Sequence, residues 1–195
     1  DAAEAVRVDY EELPAVASLA AALAAEHAVT PAAPDNIACE ARYGDAGAAE
    51  AAFARAAHVV RLSLVHQRVA ALTLEPRAAR AAWDAAAGRL SMQVSTQMPT
   101  AVRAAVAAAL GLQPEAVRVR VGDVGGGFGM KISPYPEYIL VAWAARATGR
   151  GVRWSGERGE EFLGTTHGRD LQVQAELALD ADGCMLALRL DSLAN

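Results

Sequence analysis

The eight residues Val124-Gly-Gly-Gly-Phe-Gly-Met-Lys131 are the segment of this chain that most demands a chemical explanation. Four glycines in five positions give up backbone entropy, which a fold tolerates where the main chain must approach another group closely or adopt a positive φ. The segment follows a predicted strand and precedes a predicted helix, an order that aims free N–H groups at an anion or an oxo group. Two phosphate-binding spacings fail. Met130 stands where Gly-x-x-x-x-Gly-Lys-Ser/Thr needs its second glycine and Ile132 where it needs a hydroxyl. Gly-x-Gly-x-x-Gly starting at Gly125 fails at the same methionine. The structural alternative is a glycine-rich β-turn with Phe128 plugging a core. Two neighbours favour chemistry: the chain's single lysine, Lys131, ends the loop, and Ser95-Thr96-Gln97 closes a predicted strand where the next helix begins. The Gln97 amide can therefore project from the same edge of the sheet.

The other chemistry-bearing residues offer less. His27, His58, His66 and His167 show no i,i+4 or His-x-His spacing, so no zinc site is expected. Cys39 and Cys184 form no CxxC pair, and a reducing, cytoplasmic compartment is the expectation. No Gly-x-Ser-x-Gly elbow exists. Glu75, between Leu74 and Pro76, reads as a partly buried structural carboxylate paired with Arg77 or another arginine. The carboxylates of Glu157-Arg-Gly-Glu-Glu161 read as a solvated turn, and Trp83, Trp143 and Trp154 as core.

These residues must be held by the elements around them. In a chain of 195 residues, 53% hydrophobic and 21% charged, there is material for a real core. The net charge of −5 argues against a nucleic-acid binder, and no apolar run is long enough to span a bilayer. Alternation predicts strands over 6–10, 37–43, 58–69 and 117–121, and propensity a helix over 15–26. Asp45 is expected to cap a helix running to about residue 56. Residues 77–83 and 89–95 read as a hairpin turned at Gly88. Pro99–Leu110 and Glu137–Thr148 read as helices, 152–154 as a short strand, and 169–180 with 184–192 as a final hairpin. The proline-rich stretch 30–36 is the candidate boundary. Without a repeating βαβ unit, the class is α+β.

Ser95-Thr96-Gln97, then a helix, then Leu110-Gly111 with Val117-Arg-Val, then Asp123-Val-Gly-Gly-Gly-Phe-Gly-Met-Lys131, resembles the molybdenum-cofactor subunit of the molybdenum hydroxylases. This is the xanthine dehydrogenase and aldehyde oxidase family. Leu74-Glu-Pro-Arg77 and Thr166-His-Gly-Arg-Asp170 fit as well, most closely in the carbon monoxide dehydrogenase-like large-subunit branch. The resemblance implies mixed sheets with helices on one side, as in the family's first molybdenum-cofactor-binding domain. It places residues 1–30 in the tail of a preceding small, hammerhead-like α/β domain and 31–195 in the first molybdopterin-binding domain.

By the same resemblance, Gln97, Gly126, Gly127, Phe128 and Gly129 bind the cofactor. The Gln97 amide meets an oxo ligand of molybdenum, and the Phe128 and Gly129 N–H groups touch the metal's ligand sphere; no side chain ligates the metal itself. Lys131 is expected to stabilise the loop. The implied cofactor is molybdopterin cytosine dinucleotide with molybdenum, and 2Fe-2S clusters and FAD sit on companion chains in a dimer of heteromers. Such an enzyme hydroxylates an aldehyde or N-heterocycle with water, or oxidises carbon monoxide. The family's catalytic glutamate lies farther toward the subunit's C-terminus, so this chain is expected to be a fragment, inactive alone, with no catalytic residue of its own. In the purine-oxidising branch a glutamate follows the lysine; Ile132 here disfavours xanthine. A scaffold of the same fold without cofactor, and an unrelated enzyme using the glycine loop for a phosphate, are the alternatives.

Overall fold

A computed structural model describes residues 4–195. In chain order its elements are α1 (Leu19–Ala24), α2 (Ala46–Ala54), β1 (His58–His66), β2 (Val69–Ala70), β3 (Ala78–Asp84), β4 (Arg89–Val94) and α3 (Pro99–Leu110). They continue with β5 (Val117–Arg120), α4 (Pro136–Thr148), β6 (Val152–Ser155), α5 (Arg158–Gly164), β7 (His167–Gly168), β8 (Leu171–Leu179) and β9 (Met185–Ala194). The chain divides into two compact units, one of residues up to Gln67 together with Asp170–Asn195, the other Arg68–Arg169.

In the first unit β1, β8 and β9 form an antiparallel sheet in the order β1-β8-β9. The Asp45 carboxylate accepts the Ala48 N–H at 2.9 Å and starts α2 as expected. Two sequence expectations fail here. Residues 6–10 and 37–43 alternate like strands, yet neither is one. Alternation supplies a face to bury, but a strand also needs a hydrogen-bonding neighbour, and among the described residues none pairs with either segment. Their apolar side chains stay in solvent, Tyr10 and Tyr43 among them. The helix expected over 15–26 shrinks to α1, capped by Ser18 and closed by Ala25 in the left-handed region.

The second unit carries the four-stranded sheet β5-β4-β3-β6. β3 and β4 form the expected hairpin, with Gly88 at φ +61°. β5 joins β4 in parallel and β6 joins β3 antiparallel. The period of two sends Ala79, Ala81, Leu90, Met92, Val94 and Val117 to one face, where α3 and α4 cover them. Both helices open on a proline and close on a left-handed glycine, Gly111 and Gly149. On α4 the inward stripe is Tyr138, Val141, Ala142 and Ala145, which turns Trp143 outward, 58% exposed rather than in the core. Trp83 and Trp154 do pack against the core, partly buried. The class is α+β, with mixed sheets and helices on one side of the larger one. Its other face is polar, and among the described residues no element of the same unit covers it.

Candidate functional site

The glycine loop leaves the end of β5 and is held at both ends by side chains from distant segments. Glu75 secures the first end. Its Oε2 accepts from the Gly125 N–H, the Ser95 hydroxyl and the Lys131 ammonium, each at 2.8 Å. Lys131, fully buried, also donates to the Glu75 carbonyl at 2.8 Å. The partner expected for Glu75 was an arginine; the lysine closing the loop takes that place. Burial pushes the Glu75 carboxyl up, but the hydrogen bonds from Lys131, Ser95 and Gly125 outweigh it and hold it below its ordinary value. A carboxylate depressed in the folded state contributes stability above the unfolded value and loses it as pH falls through the folded one. Hydrogen-exchange protection at Gly125 is therefore expected to hold at neutral pH and to decline below the ordinary value of 4.5. The Glu75→Gln variant should start looser and lose this acid step; an unchanged step would reject the assignment.

Gln97 secures the second end. It follows β4 by three residues, where the strand gives way to α3, and its backbone N–H donates to the Lys131 carbonyl at 3.0 Å. Its side-chain Oε1 accepts from the N–H groups of both Gly129 and Lys131, each at 3.2 Å. Both acceptor directions of the amide oxygen are thus taken. The Nε2 donor has no partner among the described residues, and the side chain is exposed. Gly127 is what permits this approach, because a Cβ there would lie 2.5 Å from Gln97 Cδ. A Cβ on Gly125 would likewise meet Glu75 Cβ at 2.5 Å.

Between these anchors the main chain is bare. Gly126 and Gly129 take positive φ, and so does Phe128 at +51°, an unusual state for a bulky residue. Phe128 is 75% exposed, which removes the reading of it as a core plug. The N–H groups of Gly127 and Phe128 meet no acceptor among the described residues. The Gly129 N–H, also expected to face a ligand, is the one donated to Gln97. Two main-chain N–H groups and one amide NH2 thus lie along one short stretch: neutral donors suited to oxygen or sulfur atoms carrying negative charge.

Beneath the loop lies a buried ionic cluster that the sequence did not reveal. Arg77, with no exposed surface, bonds Glu161 at 2.9 Å and Glu137 at 3.3 Å. Its guanidinium lies 4.0 Å from the Tyr135 ring centre and 5.4 Å from that of Trp154. Burial alone would lower its pKa; the two carboxylates reverse that and raise it. Tyr135 carries the support upward, donating its hydroxyl to the Met130 carbonyl at 2.6 Å. Glu161 is therefore not part of a solvated turn. It sits in α5, which a Glu157/Glu160 capping box begins. Arg158 on the same helix clamps the carbonyls of Thr73 and Leu74 at 2.6 and 3.0 Å. His167 has a structural contact, its Nε2 lying 3.0 Å from the Phe162 carbonyl. Among the described residues no group of His, Cys, Asp and Glu is arranged to hold a metal ion directly.

Comparison with known proteins gives a consistent picture. Residues 29–195 match the family model described as a molybdopterin cofactor-binding domain. The whole chain aligns at 33% identity with 26% of the carbon monoxide dehydrogenase large chain of Hydrogenophaga pseudoflava. It also aligns at 34% identity with 24% of subunit gamma of the 6-hydroxypseudooxynicotine dehydrogenase complex of Paenarthrobacter nicotinovorans. Among solved structures, quinoline 2-oxidoreductase from Pseudomonas putida 86 superposes on the whole chain with a TM-score of 0.85 and 39% identity, over 25% of its own length. The chain spans about a quarter of the length of the relatives it matches.

Proposed function

The chain belongs to the molybdopterin cofactor-binding domain family, and from that premise we propose that the loop Gly125–Lys131 and Gln97 form one wall of a molybdenum–pterin site in an oxidoreductase. The observation that carries this reading is the division of labour within Gln97. Its oxygen is consumed in shaping the loop and its NH2 is left as a donor beside the unpartnered N–H groups of Gly127 and Phe128. The residues fit the group: donors are in place, among the described residues no group of His, Cys, Asp and Glu is arranged to hold a metal ion directly, and Gly127 lets Gln97 reach the loop where a Cβ would block it.

When bound, the cofactor supplies the redox chemistry, accepting electrons from substrate as oxygen from water is transferred. This chain's residues bind and orient it. Gln97, Gly126, Gly127, Phe128 and Gly129 make the wall, with Gln97 and Phe128 nearest the metal's ligands. Glu75 and Lys131 hold the wall's entry and exit at fixed separation, so the donors are oriented before the cofactor arrives. Residues 31–195 are read as part of the first molybdopterin-binding domain and 1–30 as the tail of a preceding α/β domain. The whole enzyme is read as hydroxylating an aldehyde or N-heterocycle, or oxidising carbon monoxide, with the cytosine dinucleotide form of the cofactor. The 2Fe-2S clusters and FAD that would take up the electrons are read as sitting on companion chains, in a cytoplasmic complex. The apolar Ile132, 47% exposed just past the loop, offers a purine no hydrogen bond. Among the described residues no helix is long and apolar enough to cross a membrane.

Gln97→Glu tests the reading in the full-length subunit with its companions. The carboxylate keeps both acceptor bonds to the loop but loses the donor, so the fold should stand while turnover falls roughly 10- to 100-fold. Steady-state kinetics beside molybdenum and pterin content check this. Unchanged turnover at full cofactor content would remove Gln97 from the site, and a complex purified intact but lacking both metal and pterin would favour a scaffold.

A further inference from the structure

The strands that bury Leu90, Met92 and Val94 under the helices turn a different set of side chains to the uncovered face. Arg80, Arg118, Arg120 and Arg153 stand there, with Ser91 and Gln93 between them. The register aligns Arg153, Arg80, Gln93 and Arg120 in one row across all four strands. Arg80 and Arg153 are direct antiparallel neighbours, and like charges so placed destabilise a sheet unless something lies between them. Among the described residues none of the four arginines has an ion pair or hydrogen bond. The nearby carboxylates do not pair with the row: Asp84 accepts the Ala87 N–H of its own turn, Glu75 is held by Lys131, and Asp123, beyond the end of β5, lines a neighbouring cavity with Arg80 and Arg153 without an ion pair to either. In a chain with net charge −5, this face is a concentrated positive surface.

We infer that this face docks an Asp/Glu-rich segment of a companion subunit, whose carboxylates pair with Arg80, Arg120 and Arg153. The inference rests on the reading that the chain works within a heteromeric complex. Arginine offers a planar fork that binds carboxylate in two parallel hydrogen bonds. Neighbouring strands are about 4.8 Å apart, so the row presents guanidiniums at intervals that successive acidic side chains of one segment can reach. The row lines a shallow groove of about 450 Å³. A phosphate ligand fits less well. Phosphate sites recruit main-chain N–H groups, whereas here those of the central strands are spent in the ladder. Arginine is enriched where separate chains meet, which points to a companion chain as the source of the carboxylates.

The test uses the full-length subunit expressed with its companions. A photo-crosslinking p-benzoylphenylalanine at Ser91 leaves every arginine in place. It should yield one dominant adduct, on an Asp/Glu-rich peptide of a companion chain. The R80E/R153E variant should release that companion at a salt concentration at least tenfold lower than the native complex requires, and R80Q/R153Q should give an intermediate loss. Molybdenum and pterin content, measured on the same samples, shows that the subunit is folded and loaded. An adduct within the same subunit, on a peptide without carboxylates or on a nucleotide, or the absence of an adduct, would overturn the inference. So would an unchanged salt threshold. If the loaded enzyme purifies with no companion chain, the heteromeric reading fails as well, a result distinct from a companion that stays bound to R80E/R153E.

Discussion

Replacing Gly127 by alanine in the full-length subunit drives the Gln97 amide off the loop and lowers turnover by about 100-fold, the scale expected when a preorganised donor is lost. The added methyl would lie 2.5 Å from Gln97 Cδ, 2.6 Å from Oε1 and 2.8 Å from Cγ. The clash falls on the far end of a flexible, exposed side chain, so Gln97 is the partner that gives way, and its Oε1 then releases the N–H groups of Gly129 and Lys131. Gly127 is not one of the positive-φ glycines, so the obstacle is space alone. That permits a sharper check: Gly127→Ala combined with Gln97→Ala should lower turnover no further than either change alone, a non-additive pair. Metal analysis and pterin fluorescence report loading. Native turnover in the fully loaded single variant would reject the steric argument.

The second large effect is on stability. Glu161→Ala leaves Arg77, with no exposed surface, facing only Glu137 at 3.3 Å, a carboxylate whose side chain is 31% exposed. Breaking one side of a buried ion pair costs about 3–5 kcal/mol; the remaining carboxylate argues for the lower end, about 3 kcal/mol. The backbone N–H of Arg77 also loses its acceptor, Glu161 Oε2 at 3.1 Å. Denaturant unfolding of the full-length subunit measures the difference. Because Tyr135 sits on the Arg77 guanidinium and holds the Met130 carbonyl, the loop should loosen before the sheet does. Loss of less than about 1 kcal/mol would mean that the cluster is hydrated. Replacing Arg77 by methionine and Glu161 by leucine together should cost less than either change alone, since the carboxylate then left without its partner is Glu137, which at 31% exposure water can reach.

What could be read from the sequence was what is local. The glycine loop, the strand before it, Gln97 at the end of β4, and the proline-to-glycine extents of α3 and α4 all follow from spacing within a few residues. The partners of charged groups were not legible in this way. Glu75 and Lys131 lie 56 residues apart and Arg77 and Glu161 84 apart, and nothing in either neighbourhood encodes the match. The Glu157/Glu160 capping box was a legible sign that α5 begins there, but not that Glu161 turns inward, because the apolar Phe162 and Leu163 of that helix are the exposed ones. The strands expected over 6–10 and 37–43 failed for the opposite reason: the pattern was present but the pairing edge was not. The arginine face was visible as alternation in Val117-Arg-Val-Arg-Val121. Only the register of β3 with β6 shows that Arg80 and Arg153 stand side by side.

Anomalous diffraction at the molybdenum edge from crystals of the full-length, loaded subunit tests the proposed wall most directly. The metal peak should fall beside the loop, with one of its ligands within hydrogen-bond distance of Gln97 Nε2 and the pterin or metal ligands meeting the N–H groups of Gly127 and Phe128. A peak far from Phe128, or those N–H groups bonded to another part of the polypeptide instead, would contradict the assignment.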